Sequence, residues 1–319
     1  MSGMQTVTPI GDAKDRSGLA GPVNFRALKK RAGRSQRWFT PYSFVLPIVL
    51  FTLLFLAYPV IYSVALSFRD ATIDTFVGGD MPFNGLANYQ QSLSNPSFWR
   101  ALLNTVLFTF FSILFQFTIG FLLALFFQNE FPLKNALIAL LLVPWLAPIL
   151  TAANTFKGLF NEIGPFNQIG HLFGLPNLPW LADPRLAFIA IIIANIWIGF
   201  PFNFILLYAG MRAVPLEIYE AAKLDGAAYW KQVSHITIPM LKPVTVSVLM
   251  LGTIYTVKVF DLVWIMTGGG PANSTHLLST YAYQTGFSVF NFGQAAAIAA
   301  VMVLLIVLLN LLQLALQRK

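Results

Sequence analysis

Six long apolar stretches set the pattern of this chain: Phe44–Phe68, Leu102–Phe127, Ala136–Thr155, Ala187–Ala209, Val244–Met266 and Ala295–Leu316. Each is of about the 20-residue length that crosses a bilayer hydrocarbon core. None has the apolar–polar alternation of a membrane barrel strand. Backbone groups in lipid must be satisfied within their own segment, so the pattern predicts helices. The expected fold class is all-α, an integral membrane protein of six transmembrane helices. Polar residues concentrate before the first stretch and between the fourth and fifth, over 211–242.

Composition agrees with a lipid-facing protein. Hydrophobic residues make up 57% of the chain, charged residues 10%, and the mean hydropathy is +0.69. A soluble domain of 319 residues cannot hide that much apolar surface behind so few charges. The net charge of +8 is a topology signal. Basic residues crowd residues 1–40 (Lys14, Arg16, Arg26, Lys29, Lys30, Arg31, Arg34, Arg37) and recur at Lys134, Arg212, Lys223, Lys231, Lys242, Arg318 and Lys319. The opposite set of loops holds only Arg69, Arg100, Lys157 and Arg185. The excess places both termini in the cytoplasm. No groove-sized basic patch forms, so nucleic acid is not an expected partner. The first stretch is too long for a cleavable signal. Residues 1–40 read as a partly disordered basic tail, with a short basic helix over Phe25–Arg37 as an alternative. Residues 41–319 read as one membrane domain carrying the loop 211–242. The chain has no cysteine, which excludes thiol chemistry.

The loop between the fourth and fifth stretches carries the most specific signal. It contains Glu220-Ala221-Ala222, three residues, Gly226, nine residues, then Ile236, one residue and Ile238-Pro239. Val214–Leu224 reads as a short helix with Pro215 in its first turn and Glu217 and Glu220 near its positive end. Gly226 suits a left-handed helix terminus, and a second helix is expected over Ala227–His235. An ordinary amphipathic connector would show none of this fixed spacing. The loop resembles that of the transmembrane subunit of binding-protein-dependent ABC importers. The resemblance implies a helix–turn–helix whose first helix docks on a cytoplasmic ATPase, with Glu220, Ala221, Ala222 and Gly226 as the docking residues. Ile238 departs from the commoner Leu, a conservative change.

Two further stretches are similar to carbohydrate-uptake permeases of the maltose and glycerol-3-phosphate type: Asn195-Ile196-Trp197-Ile198-Gly199-Phe200-Pro201-Phe202, and Lys258-Val259-Phe260-Asp261 followed by Thr267-Gly268-Gly269-Gly270-Pro271. Asn195, Gly199 and Phe202 fall on one helical face. That face suits a sugar, with an amide for hydroxyls, a glycine for close approach and a ring for stacking. It suits helix–helix packing equally well. The resemblance places substrate contacts on Asn195, Ile198, Gly199, Phe202, Lys258 and Val259. Lys258 and Asp261, read as i and i+3 of one helix, could pair with each other. Lys258 could instead meet an anionic sugar. The Gly268–Pro271 turn reads as structural punctuation, and the outer loop Gly158–Arg185 as a packed lid.

No Gly-x-x-x-x-Gly-Lys-Ser/Thr occurs, and His171, His235 and His276 have no metal-ligand spacing. The chain is therefore expected to be no enzyme and to hold no metal or cofactor. The resemblance implies ATP and Mg in two partner ATPase subunits, a second homologous permease, an extracytoplasmic solute-binding protein, and a bacterial cytoplasmic (inner) membrane setting. The expected function is to form half of an ATP-driven path for a sugar or oligosaccharide. Alternatives are an importer for another solute such as a polyamine or inorganic anion, an ion-coupled secondary carrier, or a scaffold. A carrier would need an ion site and usually inverted repeats, neither of which is visible.

Overall fold

The computed structural model describes residues 36–317, with side chains from 44 to 316. The tail expected over 1–40, including the basic helix Phe25–Arg37, lies largely outside the described residues. The described chain is helical throughout, and its only β pairing is two isolated bridges, Arg69 with Phe83 and Thr72 with Asn291. In order, the helices are α1 (Phe44–Leu66), α2 (Ile73–Gly78), α3 (Ala87–Ser94), α4 (Pro96–Phe126), α5 (Lys134–Leu146), α6 (Ile149–Leu159) and α7 (Pro165–Leu172). They continue with α8 (Pro184–Arg212), α9 (Leu216–Leu224), α10 (Tyr229–Met240), α11 (Lys242–Val257), α12 (Asp261–Thr267), α13 (Leu278–Tyr283) and α14 (Phe292–Gln317). The chain divides into two compact units after Pro59, and the packing, cavities and sites described below belong to the second, Val60–Lys319.

Four helices, α1, α4, α8 and α14, are long and apolar enough to cross a membrane on their own. Two bent pairs bring the number to as many as six if each is one span: α5 with α6, bent by 93°, and α10 with α11, bent by 67°. The third apolar stretch is thus not one straight helix over Ala136–Thr155. Pro148 has no N–H to continue α5, and Ala147 and Pro148 are both extended.

The fifth stretch departs further from expectation. The helix predicted over Val244–Met266 stops at Val257 and restarts at Asp261. Phe260 sits at φ −127°, ψ −62°, outside helical geometry. The carbonyl of Val259 accepts a hydrogen bond from the Ser279 hydroxyl of α13 rather than from the next helical turn. The Phe260 ring packs against Trp264 at 5.8 Å and Tyr283 at 4.8 Å. Tertiary contacts therefore hold open a break that the apolar pattern does not mark.

The two longest helices form the frame. α4 and α8 open alike, on Asn95-Pro96 and Asp183-Pro184. Asn95 Oδ1 accepts from Ser97 N at 2.9 Å, and Asp183 Oδ1 accepts from Arg185 N and Leu186 N, both at 2.9 Å. Each cap satisfies orphan amides while proline occupies the position that needs no donor. The two helices run in the same direction and touch where Gly120 meets Asn203 and Phe204. A Cβ on Gly120 would lie 2.8 Å from both Asn203 Cβ and Phe204 N. Around this frame one apolar core gathers Phe108, Phe160, Ile191, Leu262 and Met266, and another gathers Phe204, Leu207, Met211, Val233 and Leu241. The first lies toward the start of α8, the second toward its end, beside the loop 211–242.

Packing in the loop Gly158–Arg185 centres on Asn167 and Trp180, while Ile163, Leu172 and Phe173 are exposed. Buried Asn167 donates to Glu162 O at 3.0 Å and Leu178 O at 2.9 Å, and accepts from Trp180 Nε1 at 3.2 Å. Trp180 lies 5.2 Å from the Phe160 ring. The uncharged segment 267–293 contains α13 and a widened turn, Gln284–Ser288. Gly268 and Gly269, at φ +60° and +87°, turn the chain at its start, and a Cβ on Gly269 would run into the His276 ring.

Candidate functional site

Two places gather the residues singled out in the sequence. The first is the loop 211–242. Its helix runs over Leu216–Leu224, so Pro215 precedes the first turn instead of occupying it. The helix closes at Gly226, which takes φ +76°. Gly226 N donates to Lys223 O at 3.0 Å and Ala227 N donates to Ala222 O at 2.9 Å. These are the two bonds of a glycine-terminated helix end, and they use up carbonyls that would otherwise need water. The second helix starts later than expected, at Tyr229, and passes through a widened turn at Val233–Thr237 before reaching Met240. Tyr219 Oη and Thr237 Oγ1, 3.0 Å apart, tie the two arms together. Gln232 Nε2 donates to Ala227 O at 2.7 Å.

Nothing on α9 is fully buried. Glu220 and Ala221 face outward, Ala222 is half-buried, and Gly226 is open, with no atom within 4 Å of a Cβ built there. Leu224 is 91% exposed and Trp230 69%. Beneath α9 lies a cavity of about 850 Å³ bordered by Gln128, Glu130, Arg212, Glu217, Tyr219 and Gln232. Glu130 bridges its edge, 2.9 Å from Lys134 Nζ and 3.5 Å from Arg212 Nη1. The hydrogen bond from Lys134, aided by Arg212, holds the Glu130 carboxyl below its ordinary pKa.

The second place is a cavity of about 320 Å³ between α4, α8 and α11, closed on one side by the α5–α6 bend. Asn195, Ile198, Gly199, Phe202 and Val259 all line it, which brings together five of the six residues expected on a substrate path. Tyr255 and Thr256 of α11 and Trp145 and Ile149 of the bend complete its wall. Phe202 packs 6.1 Å from Trp145 and edge-on to Tyr255 at 5.8 Å. Lys258 is not part of the wall. It is exposed, and its Nζ lies over the Tyr255 ring at 4.8 Å. The expected pairing with Asp261 does not form, and the only ion pairs among the described residues are those of Glu130. Lys258 lies in the break, outside the helix that begins at Asp261, so the i, i+3 spacing no longer aligns the two charges.

Gln116 was not anticipated. It is buried on α4, its Nε2 donates to Asn195 O at 2.8 Å, and it lines the same cavity. A Cβ on Gly199 would lie 2.3–2.5 Å from the Gln116 amide, so Gly199 is the space this amide occupies. The available signal was a lone amide inside an apolar stretch, costly in lipid and therefore turned inward.

The comparisons with known proteins agree with this geometry. Residues 95–319 match the model of the family described as binding-protein-dependent transport system inner membrane component. The chain belongs to this family. It is a multi-pass inner-membrane component of a transport system, not an enzyme. The trehalose/maltose transport system permease protein MalF of Thermococcus litoralis is 36% identical over 269 residues, 84% of this chain and 88% of that protein. The lactose transport system permease protein LacF of Rhizobium radiobacter is 34% identical over 85% of this chain and 91% of that protein. A sulfoquinovosyl glycerol transport system permease protein, SmoG of Agrobacterium fabrum, is 34% identical over 80% of this chain and 83% of that protein. Among solved structures, a bacterial ABC transporter involved in import of the acidic polysaccharide alginate shares the fold. It has a TM-score of 0.77, 23% identity, and coverage of 92% of this chain and 98% of that one.

Proposed function

We propose that this permease forms half of the path by which a sugar or oligosaccharide crosses the inner membrane. The observation that carries the reading is the cavity beside Asn195 and Gly199, with an amide, a threonine hydroxyl and aromatic rings on its wall. Amides and hydroxyls meet sugar hydroxyls, and rings cover the C–H faces. Relatives named for trehalose/maltose and lactose transport support the same substrate class. Residues 41–319 would act as one membrane domain, with the loop 211–242 in the cytoplasm. There α9 presents Glu220, Ala221 and Ala222, with Leu224 and Trp230 beside them, to an ATPase subunit that binds ATP and Mg. A second permease, a second ATPase subunit and a solute-binding protein complete the transporter.

The test is uptake of radiolabelled maltose, trehalose and lactose into vesicles containing the permease with its partner subunits and binding protein. Uptake of at least one sugar, dependent on ATP and blocked by vanadate, is the expected result. Transport of none of them, alongside ATP-driven uptake of a polyamine or an inorganic anion, would replace the substrate class. Uptake by the permease without any ATPase would remove the importer mechanism altogether. Glu220→Lys should lower recovery of the ATPase subunits on the tagged permease. Unchanged recovery and unchanged stimulated ATPase rate would dislodge α9 from the docking role.

A further inference from the structure

We infer that Gln116 is a specificity-determining residue of the path, acting with Asn195 as a paired acceptor and donor for one hydroxyl-bearing edge of the transported sugar. The inference rests on the sugar reading above and extends it to a helix that the motifs of α8 and α11 do not include.

Three observations converge. Gln116 is 4% exposed and Asn195 6%, so both amides are buried, yet both border the 320 Å³ cavity. Gln116 Nε2 donates to the backbone carbonyl of Asn195 at 2.8 Å. A carbonyl accepts only from the NH₂ side of an amide, so this bond fixes which way the Gln116 head is turned and leaves Oε1 as a further acceptor. Asn195 Nδ2 has no hydrogen-bond partner among the described residues. A buried donor without a partner is costly, so such a group calls for an acceptor from elsewhere. A sugar hydroxyl both donates and accepts. It is the chemical class that satisfies Asn195 Nδ2 and Gln116 Oε1 together.

Gly199 supplies the geometric support. Its missing side chain is the slot that the Gln116 head fills, since any Cβ there would overlap the amide. The amide is thereby pressed against α8 one turn beyond Asn195, and the two residues border the same cavity. A purely structural bridge between α4 and α8 would need only the Nε2 bond. It would leave no reason for the unpartnered Asn195 Nδ2 or for the cavity beside it.

The experiment compares substrates within one transporter, so differences in folding or yield cancel. The complete complex with its binding protein is reconstituted as wild type, Gln116→Leu and Gln116→Glu. Uptake kcat/KM is measured for whichever of maltose, trehalose and lactose the wild type transports, and for the monodeoxy analogues of that sugar. Binding-protein affinity for each analogue is measured separately and divided out. The wild type should disfavour at least one analogue by about 10-fold, the size of one net hydrogen bond. Gln116→Leu should transport the parent sugar less well and bring that ratio to within about twofold. Gln116→Glu keeps an acceptor and should retain part of the discrimination. Equal discrimination in wild type and Gln116→Leu would overturn the inference and leave Gln116 a helix bridge, with the sugar reading intact. Transport of no sugar by the wild type would overturn both.

Discussion

The loop 211–242 and the membrane cavity are built by opposite means. The loop closes on itself through bonds between residues close in sequence, such as Ala227 N to Ala222 O and Gln232 to Ala227. Its outer surface is then left bare. The cavity depends on bonds between distant parts of the chain, with Gln116 reaching Asn195 and Ser279 holding Val259. Its polar groups are buried rather than displayed. A surface made locally can be altered without disturbing the bundle, whereas a cavity made by distant helices changes whenever either wall moves.

The sharpest way to break this contrast is Gly199→Leu. The new side chain must displace the Gln116 amide inside packed helices, where overpacking costs typically 1–3 kcal/mol. Transport per recovered complex should fall by about 100-fold or more, while ATPase subunits still co-purify. Gly199→Ala should be milder, and Gln116→Ala added to it should recover part of its loss. Normal uptake by Gly199→Leu would mean the cavity wall tolerates what its geometry forbids.

At the loop the comparable change is Gly226→Val. Space is not limiting there, so the penalty is the left-handed backbone alone, about 1–2 kcal/mol for a residue with a Cβ. The helix end should loosen, and the stimulated ATPase rate should drop several-fold with insertion of the membrane helices unchanged. Gly226→Ala should lie between. If Val and wild type coupled equally well, the closed helix end would have no part in docking.

A smaller effect tests the break in the fifth stretch. Because Lys258 lies in the break and forms no ion pair with Asp261, Lys258→Ala and Asp261→Ala should combine additively in uptake, within about 0.3–0.5 kcal/mol. Recovery in the double variant beyond either single would restore the pairing that the spacing suggested.

The smallest expected effect concerns His276, which is buried against Gly269 with Nδ1 3.1 Å from Thr280 Oγ1. Burial lowers its pKa below the ordinary histidine value of 6.5. The unfolded chain therefore binds the proton first as pH falls, and stability favours the folded state above about pH 6.5 and declines below it. His276→Gln should flatten the acid side of the thermal-stability profile of the detergent-solubilised complex. An unchanged profile would place the acid sensitivity elsewhere.

The contrast between the two regions also explains what the sequence disclosed. Helical class, the apolar stretches and the turn at Gly226 were legible because apolar length and glycine conformation act locally. Asn195, Ile198, Gly199, Phe202 and Val259 were legible as a group through resemblance, and their spacing alone left packing and path undecided. Gln116 was missed because its meaning lies in a contact 79 residues away. The bend at Ala147–Pro148 was marked in the sequence by Pro148 but not read from the apolar run, and the break at Lys258–Phe260 was missed because an apolar run gives no sign of where neighbours will interrupt it. Lys258 and Asp261 were misaligned for that reason.

The bend between α5 and α6 bears on the bilayer itself. The 13 residues of α5 span about 20 Å at 1.5 Å per residue, against a hydrocarbon thickness of about 30 Å. Beyond Leu146 the chain turns by 93° and no longer advances along the same axis. The pair α5–α6 therefore reaches only about 20 Å along the α5 axis, and its corner sets Trp145 and Ile149 against the cavity rather than continuing a straight rod past it.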